Sequence, residues 1–580
     1  MGRKPLAVRG VGEVFMPLKS ISGLMRRKPM RGAKSAKWVV GAVVVALAAT
    51  ACGGGDGDSK DKGSAAGGGT FRLGSTEPDT IDPGRAHEST GILLSNALFT
   101  GLYSNTPDGL AEPALAESAS SDEGCTSWTF KVKPDTKFSN GEVVDAEAFA
   151  RGWARAAHKA AASDVAYHLA GIKGYEQLQD GSAKTFSGVT TPDPHTIKVD
   201  LSKADCEFVL KTAHTAYSPV PKVAKVGEED KAFGEAPIGN GPFKMDGSWE
   251  HNKAINLVRN DDYGLTKAKL DKVQVTLLND KTAHQLEYDG FQAGTFDYAH
   301  IPTPMLKTAE AKFKPQNKWF AKDTNGMNYV LPIGDNGPTN SKDARLAISY
   351  AIDRQAIAKG VFQGFQTPST TIVPPAFPKA YQKDLCTSCV KQDVAKAKEH
   401  AEKAGLKPGT EIKFSFNTGA GHEEWVQAVA RQLEDVLGLK VKLDGKDFPG
   451  LLKEQQGATA SGIYRFAWGA DYPTPENFLF PLLHSTSMNK DAEGNVVGDN
   501  RARYNNPEFD KLVDTARATK DEAARIALYK QAEKIAMEDM ALIPTFNRSQ
   551  FRLMATDKFN GLDDINFNED PILEKISLKK

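Results

Sequence analysis

Apolar and polar positions repeat with two different periods along this chain, and the changes of period mark its elements. Alternation at every second residue predicts strands at Phe71–Leu73, Ser127–Phe138 with a turn at Asp135, Thr196–Leu201, Asn256–Arg259, Lys272–Leu277 and Phe551–Met554. Glu411–Asn417 is the clearest, with Ile412, Phe414 and Phe416 on one face. Spacing of three and four predicts helices. Leu94, Ala97, Leu98 and Leu102 make one within Leu93–Tyr103, Trp153 and Ala157 another behind a cap at Asp145, and Val165–Leu178 a third. Ser341 caps a helix with Ala344, Ala347, Ile348 and Ala351 on its apolar side. His422–Gly438 is amphipathic through Trp425, Val426, Val429 and Leu433, and Thr519-x-x-Glu522 reads as the capping box of a helix to about Met540. Strand 411–417, helix 422–438 and strand Lys440–Leu443 form a β-α-β unit, which implies a parallel sheet.

Tyr464–Trp468 is an apolar run broken by one charge, Arg465, and reads as a further strand of that sheet. It turns through Gly469 and Ala470 to Asp471, and Tyr472, Pro473 and Pro475 then oppose helix or central strand. Open α/β sheets bind ligands beyond the carboxyl ends of their strands, and Asp471 falls at such an end. A carboxylate there can hold an ammonium group through charge-assisted hydrogen bonds, and Arg465 can hold a carboxylate or a backbone carbonyl. The bland alternative makes Asp471 the cap of the turn and Arg465 a partnered structural ion. Trp468 and Tyr472 either pack on a ligand or belong to the core.

The segment Arg465…Trp468-x-x-Asp471-Tyr472-x-x-Pro475, followed by Phe478-Leu479, resembles the ligand loop of the extracytoplasmic solute-binding proteins of family 5, the oligopeptide- and dipeptide-binding lipoproteins of ABC importers. Other stretches resemble the same family in the same order. They are Phe99–Ala116, Gly239-Asn240-Gly241-Pro242-Phe243, Ser341–Ile357, the loop Thr370–Pro375 and Arg503–Leu512. The resemblance implies a two-lobed α/β fold of the periplasmic-binding-protein type (class II, cluster C) with an extra subdomain on the first lobe. It implies lobe boundaries at 70–112, 113–218, 219–325, 326–543 and 544–580, the second and fourth being the extra subdomain and the second lobe. It implies a peptide ligand whose α-ammonium group meets Asp471 and whose carboxyl end meets Arg465. It further implies lobe closure over that ligand and delivery to membrane permease subunits driven by a separate ATPase. The same fold class also takes oligosaccharides, nickel complexes and other small molecules. Gly469 departs from the cysteine that some relatives carry two residues before the aspartate.

The address of the chain is legible in its charge. Residues 1–51 hold ten Lys/Arg and one acid, and Trp38–Ala49 is an apolar core too short for a stable membrane span. Ala49-Thr50-Ala51-Cys52 resembles a lipobox, whose cysteine would be diacylated and anchor the protein outside the cell membrane. An ordinary cleavage site at Ala49-x-Ala51 is the alternative. Residues 52–69 form a Gly-rich tether, and Gly53–Gly69 would reach roughly 20–25 Å. From Cys52 onward the net charge is −9, which gives no case for nucleic acid. A monomer is expected.

Four further cysteines suggest two disulfides, Cys125 with Cys206 and Cys386 with Cys389. The second is a C-x-x-C that could instead be redox-active, making the chain an exported redox protein, or half of a zinc site. Hydrolase, zinc-protease and P-loop motifs are missing, and the eleven histidines form no recognisable ligand cluster. No enzyme activity, cofactor or metal is expected.

Overall fold

The computed structural model describes residues 68–580 except 107–109, 229, 280–281, 334–338, 419–420, 489, 491–492 and 497. The export segment, Cys52 and the tether up to Gly67 lie outside the described residues. Among the described residues, no helix is long and apolar enough to cross a membrane.

Ten strands form one sheet. In chain order they are β1 (Thr70–Thr76), β2 (Phe243–Met245), β3 (Ala254–Arg259), β4 (Lys272–Leu278), β5 (Tyr298–His300), β6 (Trp319–Ile333), β7 (Glu411–Asn417), β8 (Lys440–Lys446), β9 (Gly462–Gly469) and β10 (Ile543–Met554). Their spatial order is β8-β7-β9-β6-β10-β5-β1-β4-β3-β2. The β-α-β unit forms as the pattern predicts: β7 and β8 pair in parallel, and the helix Glu423–Leu437 between them ends on Gly438 in the left-handed conformation, φ 68°. Strand β9 also runs parallel to β7, so Asn417 and Gly469 end on the same side of the sheet.

Two cores sit on this sheet, one at each end. The first packs Phe71, Leu73, Val273, Val275 and Tyr298 with Leu553. The second packs Met327, Tyr329, Ile412, Phe414, Tyr464 and Phe466 against Trp425 and Val429. Among the described strands, only β6 and β10 run from one core into the other. The register of β6 on β10 slips between Asp323 and Met327, where the chain leaves the first core for the second. A two-strand crossing with a bulge in it is a hinge, because few backbone angles need change for the lobes to move. Beyond Met327, β6 is buried without interruption through Ile333, as expected of a strand covered on both faces.

A third core belongs to a subdomain built on a four-stranded antiparallel sheet, ordered Ala116–Ser121, Ser127–Val132, Thr196–Asp200, Val189–Asp193. Trp128, Phe130 and Val199 from the sheet pack on Phe149 and Trp153 of the helix Ala146–Ala157. Asp145 caps that helix, accepting from the Ala148 N–H at 2.9 Å.

Three expectations need correction. The first helix is Ser89–Leu98 rather than Leu93–Tyr103. Glu88 caps it by accepting from the Thr90 and Gly91 N–H groups, and Gly101 already lies in a connection. The stretch Val165–Leu178 is not one helix but a 3-10 turn, Ala166–Leu169, and a short helix, Tyr175–Asp180, separated by Gly174 at φ 97°. That backbone is open to glycine and interrupts the helical path. Thr519 caps nothing ahead of it. Its hydroxyl donates back to the Thr515 carbonyl at 2.7 Å, and Asp521 caps the helix Glu522–Glu538 through the Ala524 N–H.

Candidate functional site

Strand β9 delivers the loop to the hinge. Gly469 lies opposite Gly326 of β6, and both positions are crowded: a Cβ on Gly326 would stand 2.8 Å from the Trp468 carbonyl, and one on Gly469 would stand 3.1 Å from Arg548 Nη1. Glycine at 469 therefore leaves the Arg548 guanidinium its place. Asn325 then clamps the turn, its amide donating to the carbonyls of Ala470 and Phe567.

Asp471 is half-buried just past this turn. Asn477, on the first turn of the helix Glu476–Leu483, holds it at two points: Asn477 Oδ1 accepts the Asp471 N–H at 3.0 Å, and Nδ2 donates to Oδ2 at 3.3 Å. Tyr167 of the subdomain donates its phenol to the same oxygen at 3.3 Å although its own ring is 46% exposed. Among the described residues no cation is paired with Asp471. Burial pushes its carboxyl up to about 7, opposed by the Asn477 hydrogen bond and reinforced by the nearby Asp499 carboxylate. A partly desolvated anion lacking a cation is costly, and an incoming ammonium group would relieve it.

Arg465 is the complementary case. It is 7% exposed. Its Nη1 donates to Asn417 at 3.0 Å and its Nη2 to Asn328 at 2.7 Å, while Nε has no partner. Two amide oxygens share the guanidinium and no carboxylate neutralises it, so it is not the ion-paired arginine of the bland alternative. Desolvation, with Arg548 adding repulsion, draws its pKa down to about 9, so it stays charged at neutral pH. His422 is held neutral beside them, lowered to about 3 by burial, then by Arg465 and Arg548. Arg548 is 43% exposed and reaches Glu569 only at 3.9 Å. Along β9 and the loop that follows it the site therefore offers an anion at Asp471 and a positive charge at Arg465, neither with a counter-ion among the described residues, six residues or at most about 20 Å of extended chain apart.

Trp468 and Tyr472 are placed differently from each other. Trp468 is half-buried, and its Nε1 donates to Asn477 Oδ1 at 3.0 Å, so it braces the residue that braces Asp471. Tyr472 is buried, with its hydroxyl donating to Glu476 at 2.5 Å and Lys211 Nζ 4.7 Å above its ring; it faces the subdomain rather than open space.

The sequence pattern did not single out Asn477, although it lies in the same segment. Tyr167, Asn328, Asn417, Asp499 and Arg548 carry no local signal, because each is brought in by a different element. Nor did it foresee that His284, Glu287 and His300 come together, with one possible ligand atom from each within 4.8 Å of the others. Their geometry favours a hydrogen-bonded wall over a metal centre. Glu287 already accepts from the His300 N–H and its Nδ1 at 2.8 and 2.7 Å, and the two imidazoles stack at 4.5 Å and 10°, so their in-plane lone pairs do not converge. The two imidazoles line a cavity of about 340 Å³ that Arg548 and Arg552 share. Another cavity, about 580 Å³, lies between Leu93, Tyr263 and Leu573 and is lined by neither Asp471 nor Arg465.

The structure joins Cys125 to Cys206 and Cys386 to Cys389. Cys386 and Cys389 are 2% and 1% exposed, which leaves no accessible sulfur for thiol exchange.

Two lobes on a two-strand hinge, with unpaired charges of both signs where they meet, define a binding protein that closes over a solute. Comparison with known proteins gives this class a family. The profile of the bacterial extracellular solute-binding proteins, family 5 Middle, matches residues 111–490. The chain is 30% identical to the oligopeptide-binding protein OppA of Bacillus subtilis over 521 residues, covering 87% of this chain and 92% of that one. It is 29% identical over 503 residues to the periplasmic murein peptide-binding protein MppA of Escherichia coli, covering 82% and 87%. The solved Escherichia coli MppA structure superimposes with a TM-score of 0.72 at 26% identity, over 88% of this chain and 99% of that one. The chain belongs to the family 5 extracellular solute-binding proteins, which act outside the cytoplasm as binding components of transporters.

Proposed function

We propose that this protein captures short peptides outside the cell membrane by closing its lobes over them and passes them to the permease subunits of an ABC importer. One observation carries the reading: Asp471 is a half-buried carboxylate with hydrogen bonds but no cation among the described residues, six residues after Arg465, a buried guanidinium with hydrogen bonds but no anion among them. A zwitterion with a primary amine at one end and a carboxylate toward the other satisfies both. Asp471 binds the amino terminus, and Arg465, with Arg548 nearby, attracts carboxylate or backbone carbonyl groups. Trp468 supports Asp471 through Asn477. Side chains lie in the remaining cleft, where bridging water tolerates different sequences. The names of the relatives, oligopeptide-, dipeptide- and murein peptide-binding proteins, support the same ligand class. Cys52 carries the lipid anchor, residues 53–69 tether the folded part, and the protein works as a monomer without metal or cofactor.

Native mass spectrometry of the chain from Gly69 onward, refolded free of ligand and offered di- to hexapeptides both free and N-acetylated, tests this. Retention of the free peptides and loss on acetylation is expected. Equal retention of both removes Asp471 from its role, and a folded protein that retains no peptide moves the ligand to sugars or metal complexes.

A further inference from the structure

Behind the ligand loop lies a buried group of charges that the binding site does not use. The segment on either side of Cys206, tied to Cys125 by a disulfide, brings Asp205, Glu207 and Lys211 from the subdomain, and the second lobe brings Glu476, Arg517 and Arg525. All six are between 1% and 9% exposed, and their formal charges cancel. The pairs cross from one body to the other: Lys211 to Glu476 at 3.3 Å, Arg517 to Asp205 at 3.7 Å and Arg525 to Glu207 at 3.2 Å. Two further bonds cross the same seam. The Tyr529 hydroxyl donates to Glu207 at 2.7 Å, and the Cys206 N–H donates to the Arg517 carbonyl at 2.7 Å.

Buried ion pairs are weak as general stabilisers because both charges must leave water; removing one member is far more damaging than never having had the pair. Such a group suits registry between two bodies that separate, since its members are solvated when apart and satisfied only when every partner is present. The second feature is its wiring to the site. Glu476 is ion-paired with Arg517, its Oε1 3.1 Å from Nε, and accepts from Tyr472, the neighbour of Asp471, at 2.5 Å. The next residue, Asn477, holds Asp471 itself. Tyr167 of the subdomain likewise reaches across to Asp471.

We propose that this charge group is a clasp between the subdomain and the second lobe that sets how slowly the closed complex reopens, with Glu476 as the positioning residue joining clasp to ligand loop. The part concerning bound peptide rests on the peptide reading above; the part concerning closure does not. The subdomain then has a task of its own, as the far jaw of the closing motion, and the Cys125–Cys206 bond holds the segment that carries the jaw's charges.

The test pairs two measurements on the mature chain. Stopped-flow with tetra-alanine carrying a fluorophore at its carboxyl end reads association and dissociation, and small-angle scattering of the peptide-free chain reads closure. The variants are Tyr529→Phe, which removes a single hydroxyl, and the isosteric pair Glu207→Gln with Arg525→Met. The control is Asp82→Asn with Arg155→Met, a buried pair at 2.6 Å away from the seam. Expected are dissociation about threefold faster in Tyr529→Phe and tenfold or more in the double variant, association within twofold of wild type, and a larger scattering radius. The control should lower the melting temperature and leave dissociation unchanged. Unchanged dissociation and radius in both seam variants overturn the clasp, as does equal acceleration by the control. If the double variant does not fold, Tyr529→Phe decides. If the wild type binds no labelled or unlabelled peptide, the peptide reading fails and the scattering radius alone judges the clasp.

Discussion

Asn477 grips Asp471 at both ends of the residue, accepting its backbone N–H at 3.0 Å and donating to its carboxylate at 3.3 Å. The carboxylate is thereby aimed before any ligand arrives. Asn477→Ala should weaken peptide binding by roughly tenfold to thirtyfold, the worth of a hydrogen bond to a charged group. Asp471→Asn should cost more, about 2–5 kcal/mol, because it leaves an ammonium group in the cleft without an anion. Calorimetry with free and N-acetylated peptides checks both, and affinity for the acetylated ones should hardly change.

The raised pKa of Asp471 makes binding depend on pH. With a folded value of about 7 against about 3.9 unfolded, the empty protein holds this proton more tightly than the unfolded chain. Its contribution to stability is complete below pH 4 and is lost as the pH rises through 7. Binding of an ammonium needs the ionised form. Affinity should therefore climb between pH 5.5 and 7.5, with release of about one proton on binding near pH 6. It should fall again above about pH 8 as the peptide amine loses its charge. Titrations in two buffers of different ionisation enthalpy count the proton, and Asp471→Asn should abolish its release.

Arg465 exchanges stability for affinity. A buried guanidinium with two amide partners and no carboxylate is destabilising in the empty protein. Arg465→Met should raise the stability of the empty chain by about 1–4 kcal/mol and weaken binding of peptides with a free carboxyl end more than of their amides. Urea unfolding and calorimetry on the same preparations separate the two effects. A loss of stability would show that the arginine is a structural member of the second lobe.

The two disulfides should differ in worth. Cys125–Cys206 closes 81 residues and Cys386–Cys389 closes 3. Loop-closure entropy assigns about 4–5 kcal/mol to the first and about 2 kcal/mol to the second. Paired Cys→Ser variants should rank in that order in urea unfolding. Loss of the first should also speed peptide dissociation, because it frees the segment bearing Asp205 and Glu207.

Local order was legible where one element buries one face. The alternation in Glu411–Asn417 and the apolar stripe of His422–Gly438 predicted a strand, helix and parallel strand that the structure reproduces at Glu411–Asn417, Glu423–Leu437 and Lys440–Lys446. Reading failed where short-range chemistry offered several choices. Glu88 rather than a later residue starts the first helix, and Asp521 outcompetes Thr519 as a cap because its carboxylate meets the Ala524 N–H directly. Gly174 broke a helix whose apolar spacing looked continuous.

The ordered motifs were enough to place the chain in its family and to single out Asp471 and Arg465, because a strand, a glycine turn and a charged end are written in consecutive residues. Whether those charges would be paired was not written there. Pairing depends on residues hundreds of positions away, and a sequence has no term for distance across a fold. Only the tertiary structure left Asp471 and Arg465 without counter-ions and set Asn477, Tyr167, Asn417 and Asn328 around them. Only it turned Tyr472 from the cleft toward Glu476. It also gathered six charges from two separate bodies into one buried seam, where desolvation makes each depend on all the others.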